Sequence, residues 1–409
     1  MEFSYSLRVL DLIGELNAFI AAHVLPADAA WNENAARGTY PGQLMGELKQ
    51  KAKAAKLWNL FLPTLRPDEP GTSLSNLEYA PLAEIMGRVP WSSEVFNCSA
   101  PDTGNIEILH LFGTPEQRDR WLTPLLEGTI RSAVSITEPD EASSDPTNLK
   151  TTIRRDGDHF VINGRKWFTT GALHPNFAFT LVMGISDPDP EVAAHGRHSF
   201  VIVPKDSPGF RIVRDVPIFS HHALEGHCEV EFKDVCVPVQ NLLGELGAGF
   251  AIAQARLGPG RIHHCMRTIG QCELAIELMS KRALTRNAFG SRLSDYSNVA
   301  DWIAESRIEV EQARLLALKA AWMMDTSGNK SARNEVSMIK VAAARLQTRV
   351  TDRAIQVFGA MGLTNDTPLA YLHTWGRALR FIDGPDEVHL RGIARQELKI
   401  AAQCLGNQS

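Results

Sequence analysis

The sequence predicts an α+β multidomain protein with three parts. These are an N-terminal α-helical domain over 1–130, a middle β-barrel or sandwich domain over 131–245, and a C-terminal four-helix-bundle domain over 246–409. Three observations carry this. A length of 409 residues suits two or three domains at roughly 150 residues each. The composition, 44% hydrophobic and 22% charged, excludes a disordered, collagenous or coiled-coil chain. The hydrophobic period is helical first, strand-like from about Ile130 to Gly244, and helical again from Gly247.

The elements follow in order. Leu7, Leu10, Ile13, Leu16, Phe19 and Ile20 recur at helical spacing. Leu44, Leu48 and Leu57 suggest a second helix, and Leu82, Ile85 and Met86 a third. Thr114-Pro115-Glu116 reads as an N-cap with proline at the first helical position, opening a helix through Trp121 to Leu126. Six β-prone runs come next: Ser132–Thr137, His159–Ile162, Trp167–Thr170, Phe177–Met183, Ser199–Val203 and Cys228–Phe232. Asp156-Gly157 and Asn163-Gly164 look like hairpin turns around the second run. From Phe250 a helix is expected to about Leu284, interrupted or kinked at Gly258-Pro259-Gly260. Val299–Met324, Val336–Phe358, Leu369–Phe381 and Glu387–Ala402 complete a bundle.

No uninterrupted apolar run approaches the ~18 residues of a membrane span. The first residues do not read as a signal peptide, nor the last as a lipidation signal. The six cysteines form no C-x-x-C pair and read as reduced thiols in a cytoplasmic protein. The net charge is −5, and from Leu246 onward 21 basic residues face 15 acidic ones. Solvated helix faces explain that excess, as would phosphates of a cofactor or substrate. It is thin for nucleic acid.

The chemistry-bearing motifs come by elimination and then by pattern. G-x-G-x-x-G after a strand, a Walker motif and G-x-S-x-G are all absent. His263 and His264 diverge by about 100° on a helix, so the pair cannot face one metal, and no metal site is expected. Four segments stand out. Ser135-Ile136-Thr137-Glu138-Pro139, with the turn through Ser143 and Ser144, exposes hydroxyls and backbone N–H groups. Trp167-Phe168-Thr169-Thr170-Gly171 offers aromatics beside hydroxyls, equally readable as core. Arg286-Asn287-Ala288-Phe289-Gly290 and Gln356-Val357-Phe358-Gly359-Ala360-Met361-Gly362 end helices with glycines. Such glycines are usually C-caps but also let a pyrophosphate approach the backbone. Asp383-Gly384-Pro385-Asp386-Glu387-Val388-His389 is a turn. Asp386 and Glu387 suit the first turn of the last helix, and Asp383 suits a general base.

With T-E-P, W-F-T-T-G, R-x-A-F-G, Q-V-F-G-A-M-G and D-G-P-D-E-V-H in that order, the chain resembles the acyl-CoA dehydrogenase family over almost its whole length. Within the family it looks most like the dehydrogenase domain of the animal members that also carry an aminoglycoside-phosphotransferase-like kinase domain. The resemblance implies FAD between the β domain and the bundle, partly bound by a neighbouring subunit of a homodimer or homotetramer. It implies cofactor contacts from Ile136, Thr137, Ser143, Ser144, Trp167, Phe168 and Thr169. Arg286, Phe289, Gln356, Gly359, Ala360, Pro385 and Glu387 would add to them. It implies substrate contacts from Ser143, Arg261 and Gly384.

The sharpest departure is catalytic. Most members place Glu before Gly in the final motif, where this chain has Asp383. A minority place Glu one residue before the arginine, which is Gly260 here and cannot act as a base. Asp383 is therefore the candidate, one methylene and about 1.5 Å shorter than glutamate. The resemblance further implies α,β-dehydrogenation of a medium- to long-chain or modified acyl-CoA, with an electron-transfer flavoprotein as acceptor. Two other readings are a nitroalkane-oxidase-like flavoprotein, since those relatives also use Asp, and a non-enzymatic flavoprotein that binds nucleic acid.

Overall fold

The computed structural model describes residues 4–406. The first helices are α1 (Leu7–Phe19), α2 (Leu25–Ala36), α3 (Gly42–Ala54), α4 (Asn76–Gly87) and α5 (Asp102–Phe112). After them come α6 (Pro115–Gln117) and α7 (Thr123–Leu126), joined by a π-helical turn over Arg118–Leu122. Thr114 caps α6 through a reciprocal capping box with Gln117, as the Thr-Pro signature predicts. Helix α5 escapes the periodicity argument because its residues from Asp102 to His110 are buried on every side, which leaves no amphipathic stripe to read. A π-helical turn over Ile20–Val24 joins α1 to α2. The resulting run, Leu7–Ala36, is long and apolar enough to cross a membrane by length and composition alone. Leu16, Phe19, Ile20, Val24 and Trp31 within it are buried in the protein, while Leu7 and Leu10 are exposed.

The strands are β1 (Arg131–Ser135), β2 (Thr152–Asp156), β3 (His159–Thr170), β4 (Phe177–Ile185), β5 (His198–Pro204), β6 (Phe210–Asp215), β7 (His227–Pro238) and β8 (Leu242–Leu243). They form one mixed sheet in the order β6-β7-β3-β2-β4-β5-β8, with β1 parallel to β4. Asp156-Gly157 is the β2–β3 hairpin turn, with Gly157 at φ 61°. Asn163-Gly164, expected to be a second turn, is instead a bulge inside a continuous β3, where the register against β7 shifts. The reason is contact: a Cβ on Gly164 would lie 2.3 Å from Thr151 Oγ1. Glycine there serves close approach rather than reversal. Strands β2 and β6, largely polar and half-exposed, carry no strong apolar alternation and were not legible from the sequence.

The later helices are α8 (Gly249–Thr285), α9 (Ser297–Ser331), α10 (Arg333–Phe358), α11 (Leu369–Leu379) and α12 (Asp386–Gly406). A small hairpin, β9 (Asn287–Ala288) and β10 (Ser291–Arg292), follows α8. The interruption expected at Gly258-Pro259-Gly260 does not occur, and α8 runs through it. Gly258 has no Cβ, which removes the clash with the ring of Pro259 that disfavours a helical conformation in the residue before a proline.

Contacts divide the chain into two compact units that do not follow sequence order. One holds residues up to Ile20, Leu74–Ser93 and everything from Gly258. In it α4 passes so close to α8 that a Cβ on Gly270 would meet Glu84 O at 1.8 Å. Arg314 of α9 bridges Glu84 and Glu273 there. The other unit holds Ala21–Ser73 and Glu94–Leu257. Its core packs Ile153, Phe160, Ile162, Val201 and Val230 between the faces of the sheet. Asp102 of α5 ties that sheet to its helices through Arg131 Nε at 2.7 Å.

Candidate active site

In the bundle unit the chain leaves α11 at Leu379 and turns through Arg380–Pro385 into α12. Asp386 anchors this turn from below. It is almost fully buried and accepts from Arg345 Nε at 3.1 Å and Arg380 Nε at 2.9 Å, while its own N–H donates to Arg380 O. Fully buried Lys340 adds a hydrogen bond from Nζ to Leu379 O. Burial pulls the Lys340 ammonium below its ordinary pKa. Asp386 and Glu387 are the first-turn acids expected of α12, but Asp386 acts mainly as the hub of an arginine pair.

Above that anchor, Asp383 adopts a left-handed backbone at φ 56°, followed by Gly384 at φ 107°. Asp tolerates this region better than most residues, at a cost on the order of 1 kcal/mol. Gly384 is required twice over: by its φ, and because a Cβ there would sit 3.1 Å from His389 Nε2. Arg261 Nε donates to Asp383 O at 2.8 Å, drawing the bend against α8. Burial lowers the Arg261 guanidinium below its ordinary pKa, and the nearby Asp383 works in the opposite direction.

The carboxylate of Asp383 then faces α8. Its Oδ2 lies 3.7 Å from His264 Nε2 and 3.6 Å from where a Cβ on Gly260 would be. The two sequence positions that could supply a base, 383 and 260, therefore converge on one spot. The sequence singled out His264 only as one of a neighbouring histidine pair that cannot face one metal. The signal that could have found it was the helical spacing of Gly260 and His264, four residues apart on one face. His263, by contrast, turns away and packs edge-on against Tyr79 at 5.1 Å between ring centres. No group of three or more His, Cys, Asp or Glu is arranged to hold a metal ion among the described residues.

Two further residue sets bear on the cofactor, each within one unit. In the sheet unit, β3 is irregular between Lys166 and Thr169, and Phe168 sits at φ 49°. That irregularity takes Trp167 and Phe168 out of the ladder with β7 and leaves Phe168 exposed and Trp167 half-buried. Trp167 N donates to Thr137 O at 3.0 Å, and Thr137 Oγ1 donates to Trp167 O at 2.9 Å. Ile136-Thr137 and the aromatic pair are thus stitched together. The Thr169 hydroxyl is not one of the hydroxyls offered beside the aromatics. It is buried, 3.0 Å from Ser135 Oγ.

Ser143 is also spoken for, since its Oγ accepts from Glu138 N at 2.8 Å. Ser144 is exposed. Behind them Glu138 accepts from Lys166 Nζ, Lys150 N and Thr151 N at 2.7–2.9 Å. Burial would raise the Glu138 carboxyl, but Lys166 and these hydrogen bonds bring it below the usual range. Burial pushes the fully buried Lys166 down to about 8 despite Glu138.

In the bundle unit, Phe289 is fully exposed at φ 49°, with Arg286 and Gln356 also exposed. Gly290 and Gly359 have positive φ and nothing within 4 Å of a built Cβ, and Ala360 is exposed beside Gly359. Pro385 is half-buried and Glu387 exposed at the start of α12. Uncovered aromatics, hydrogen-bonding backbone and open glycines are the surfaces that a flat ring and a pyrophosphate need, so the residues fit FAD.

With its helical, β and helical order, the chain is an FAD-dependent oxidoreductase, as its likeness to known proteins shows. Family models of the acyl-CoA dehydrogenase N-terminal, middle and C-terminal domains match residues 10–129, 133–235 and 247–398. The chain belongs to the acyl-CoA dehydrogenase family. It is 54% identical to "Probable acyl-CoA dehydrogenase FadE2" of Mycobacterium tuberculosis, over 97% of both chains. It is 49% identical to acyl-CoA dehydrogenase family member 10 of Mus musculus and 45% identical to family member 11 of Homo sapiens. These matches cover 96% and 97% of this chain but only 37% and 51% of the animal proteins. A solved Mycobacterium abscessus protein, described as a candidate acyl-CoA dehydrogenase, superposes with a TM-score of 0.92. It shares 47% identity over 98% of this chain and all of that one.

Proposed function

We propose that the protein catalyses α,β-desaturation of a medium- to long-chain or modified acyl-CoA, with Asp383 as the base that takes the α proton. The observation that supports this most is the seat of Asp383. Its bend is fixed by Arg261 from one side and the Asp386 arginine pair from below, and its carboxylate is directed at α8 beside Gly260. FAD, when bound, accepts the hydride from the β carbon. Ile136, Thr137, the Thr169 backbone, Trp167 and Phe168 would hold the ring, with Pro385 and Glu387 near it. Arg286, Phe289, Gln356, Gly359 and Ala360 would hold the FAD of an adjacent subunit in a homodimer or homotetramer. Arg261 and Gly384 would line the thioester. Of the two serines, Ser144 is the one whose exposed hydroxyl suits a ligand, while Ser143 shapes the turn. Electrons would pass to an electron-transfer flavoprotein.

The test is anaerobic bleaching of the bound flavin with butyryl-, octanoyl-, palmitoyl- and docosanoyl-CoA. At least one of them should bleach it. Oxygen uptake with nitroethane and no bleaching by any thioester would replace this reading with a nitroalkane oxidase.

A further inference from the structure

The wall facing Asp383 is one stripe of α8: Gly260, Arg261, His264 and Arg267, spaced so that they share a helical face. Arg267 Nη2 lies 3.3 Å from His264 Nδ1. A guanidinium only donates hydrogen bonds, so Nδ1 accepts. A neutral imidazole then carries its proton on Nε2, and Nε2 is the nitrogen 3.7 Å from Asp383 Oδ2. That gap is longer than a hydrogen bond, but contacts of this kind commonly tighten when a ligand fills the site. The Trp375 ring, tilted and 6.4 Å from the imidazole, lies beside it.

We infer that His264 is a positioning residue for the base: held as the Nε2–H tautomer by Arg267, it donates to Asp383 Oδ2 and leaves Oδ1 to take the α proton. This rests on the reading of Asp383 as the base. The step balances without a new reactant. The Cα–H bond breaks, an O–H bond forms at Asp383 Oδ1, and the released electron pair enters the Cα–Cβ bond as hydride leaves Cβ for the acceptor that FAD would supply when bound. His264 donates a hydrogen bond throughout and transfers no proton.

Other charged groups pack around the pair. Arg261 Nε donates to the Asp383 carbonyl. Arg333 acts on Arg261 from α10, and Lys340 of α10 is bonded to Leu379 O. Asp386 is held by Arg345 and Arg380. Cys265 is pushed up to about 12 and stays a neutral thiol, and His389 is pushed down to about 4, both chiefly by burial. His264 thus stands beside the carboxylate among the cations Arg261, Arg267, Arg333 and Lys340.

The experiment uses the FAD-loaded enzyme, reduced anaerobically in stopped flow by whichever of the four named thioesters bleaches fastest. A donor to the carboxylate favours its charged form and lowers its pKa. His264→Leu should therefore move the acid limb of the reduction rate upward by ~1 pH unit. His264→Gln, which keeps a donor, should return the limb to within a few tenths of wild type. Histidine 15N NMR supplies a readout that does not depend on turnover: the His264 signal should show the Nε2–H tautomer in wild type and lose it in Arg267→Met. An unmoved acid limb in His264→Leu, or an Nδ1–H tautomer in wild type, overturns the inference. If Asp383→Asn still bleaches at the wild-type rate, the base assignment itself falls, which is a separate failure. Should His264→Leu not fold, the Gln and Arg267→Met variants carry the test.

Discussion

Two carboxylates, Glu138 buried in the sheet unit and Asp383 half-buried in the bundle unit, show two ways of holding the same group. Glu138 in the sheet unit is closed in by three donors at 2.7–2.9 Å, one of them the ammonium of Lys166. Its position is fixed and its charge is neutralised where it stands, so it holds the strand ends that carry Ile136 and Trp167. Lys166 Nζ also reaches Ile136 O at 2.7 Å, which makes the pair a strut under that edge. Asp383 in the bundle unit is fixed through its backbone instead: Arg261 bonds its carbonyl, and Gly384 and Asp386 set the bend. Its carboxylate faces a histidine that stands off at 3.7 Å.

The largest expected effect breaks the second half of that contrast. Asp383→Asn should bind FAD yet lose flavin reduction by on the order of 10³-fold, read by anaerobic bleaching. Adding Gly260→Glu to that variant places a carboxylate at the spot beside position 383 and should recover on the order of tenfold. No recovery would mean that the two positions do not serve one proton.

Next comes the strut. Glu138→Gln leaves the Lys166 ammonium buried without its counter-charge and should cost about 3 kcal/mol, measured by urea unfolding. The same residue gives a pH dependence. The folded Glu138 carboxyl lies below its ordinary 4.5, so its contribution is present above that value and is lost as pH falls through and below it. The urea midpoint of the wild type should drop between roughly pH 6 and pH 3, and Glu138→Gln should flatten that drop.

The smallest effect separates the serines. Ser143→Ala should lower stability by about 1 kcal/mol with little change in ligand binding, because its hydroxyl serves Glu138 N. Ser144→Ala should do the reverse, weakening FAD or acyl-CoA binding by roughly fivefold with an unchanged melting temperature.

Much of this was legible from residues alone. The switch from helical to strand period and back separated the helical from the strand segments, because burial on one face writes its period into the sequence. Thr114 with Pro115 and Gln117, and Asp156-Gly157, are local devices whose geometry needs no distant partner. The run Asp383-Gly384-Pro385-Asp386 announced a bend before a helix, and glycine at position 260 excluded a base there. What the sequence by itself determined, then, was what depends on neighbours along the chain.

Only the tertiary structure decided the rest, and each case involves a contact across the chain. Asn163-Gly164 is a bulge because Thr151 presses against Gly164. The Thr169 hydroxyl faces inward because Ser135 and Thr180 form a buried polar cluster there. Asp383 meets α8 because Arg261, far earlier in the sequence, bonds its carbonyl, and His264 comes with the same helical face. Local propensity sets which way a chain can turn. Which side chain waits at the end of that turn is set by packing between segments that no sequence window spans.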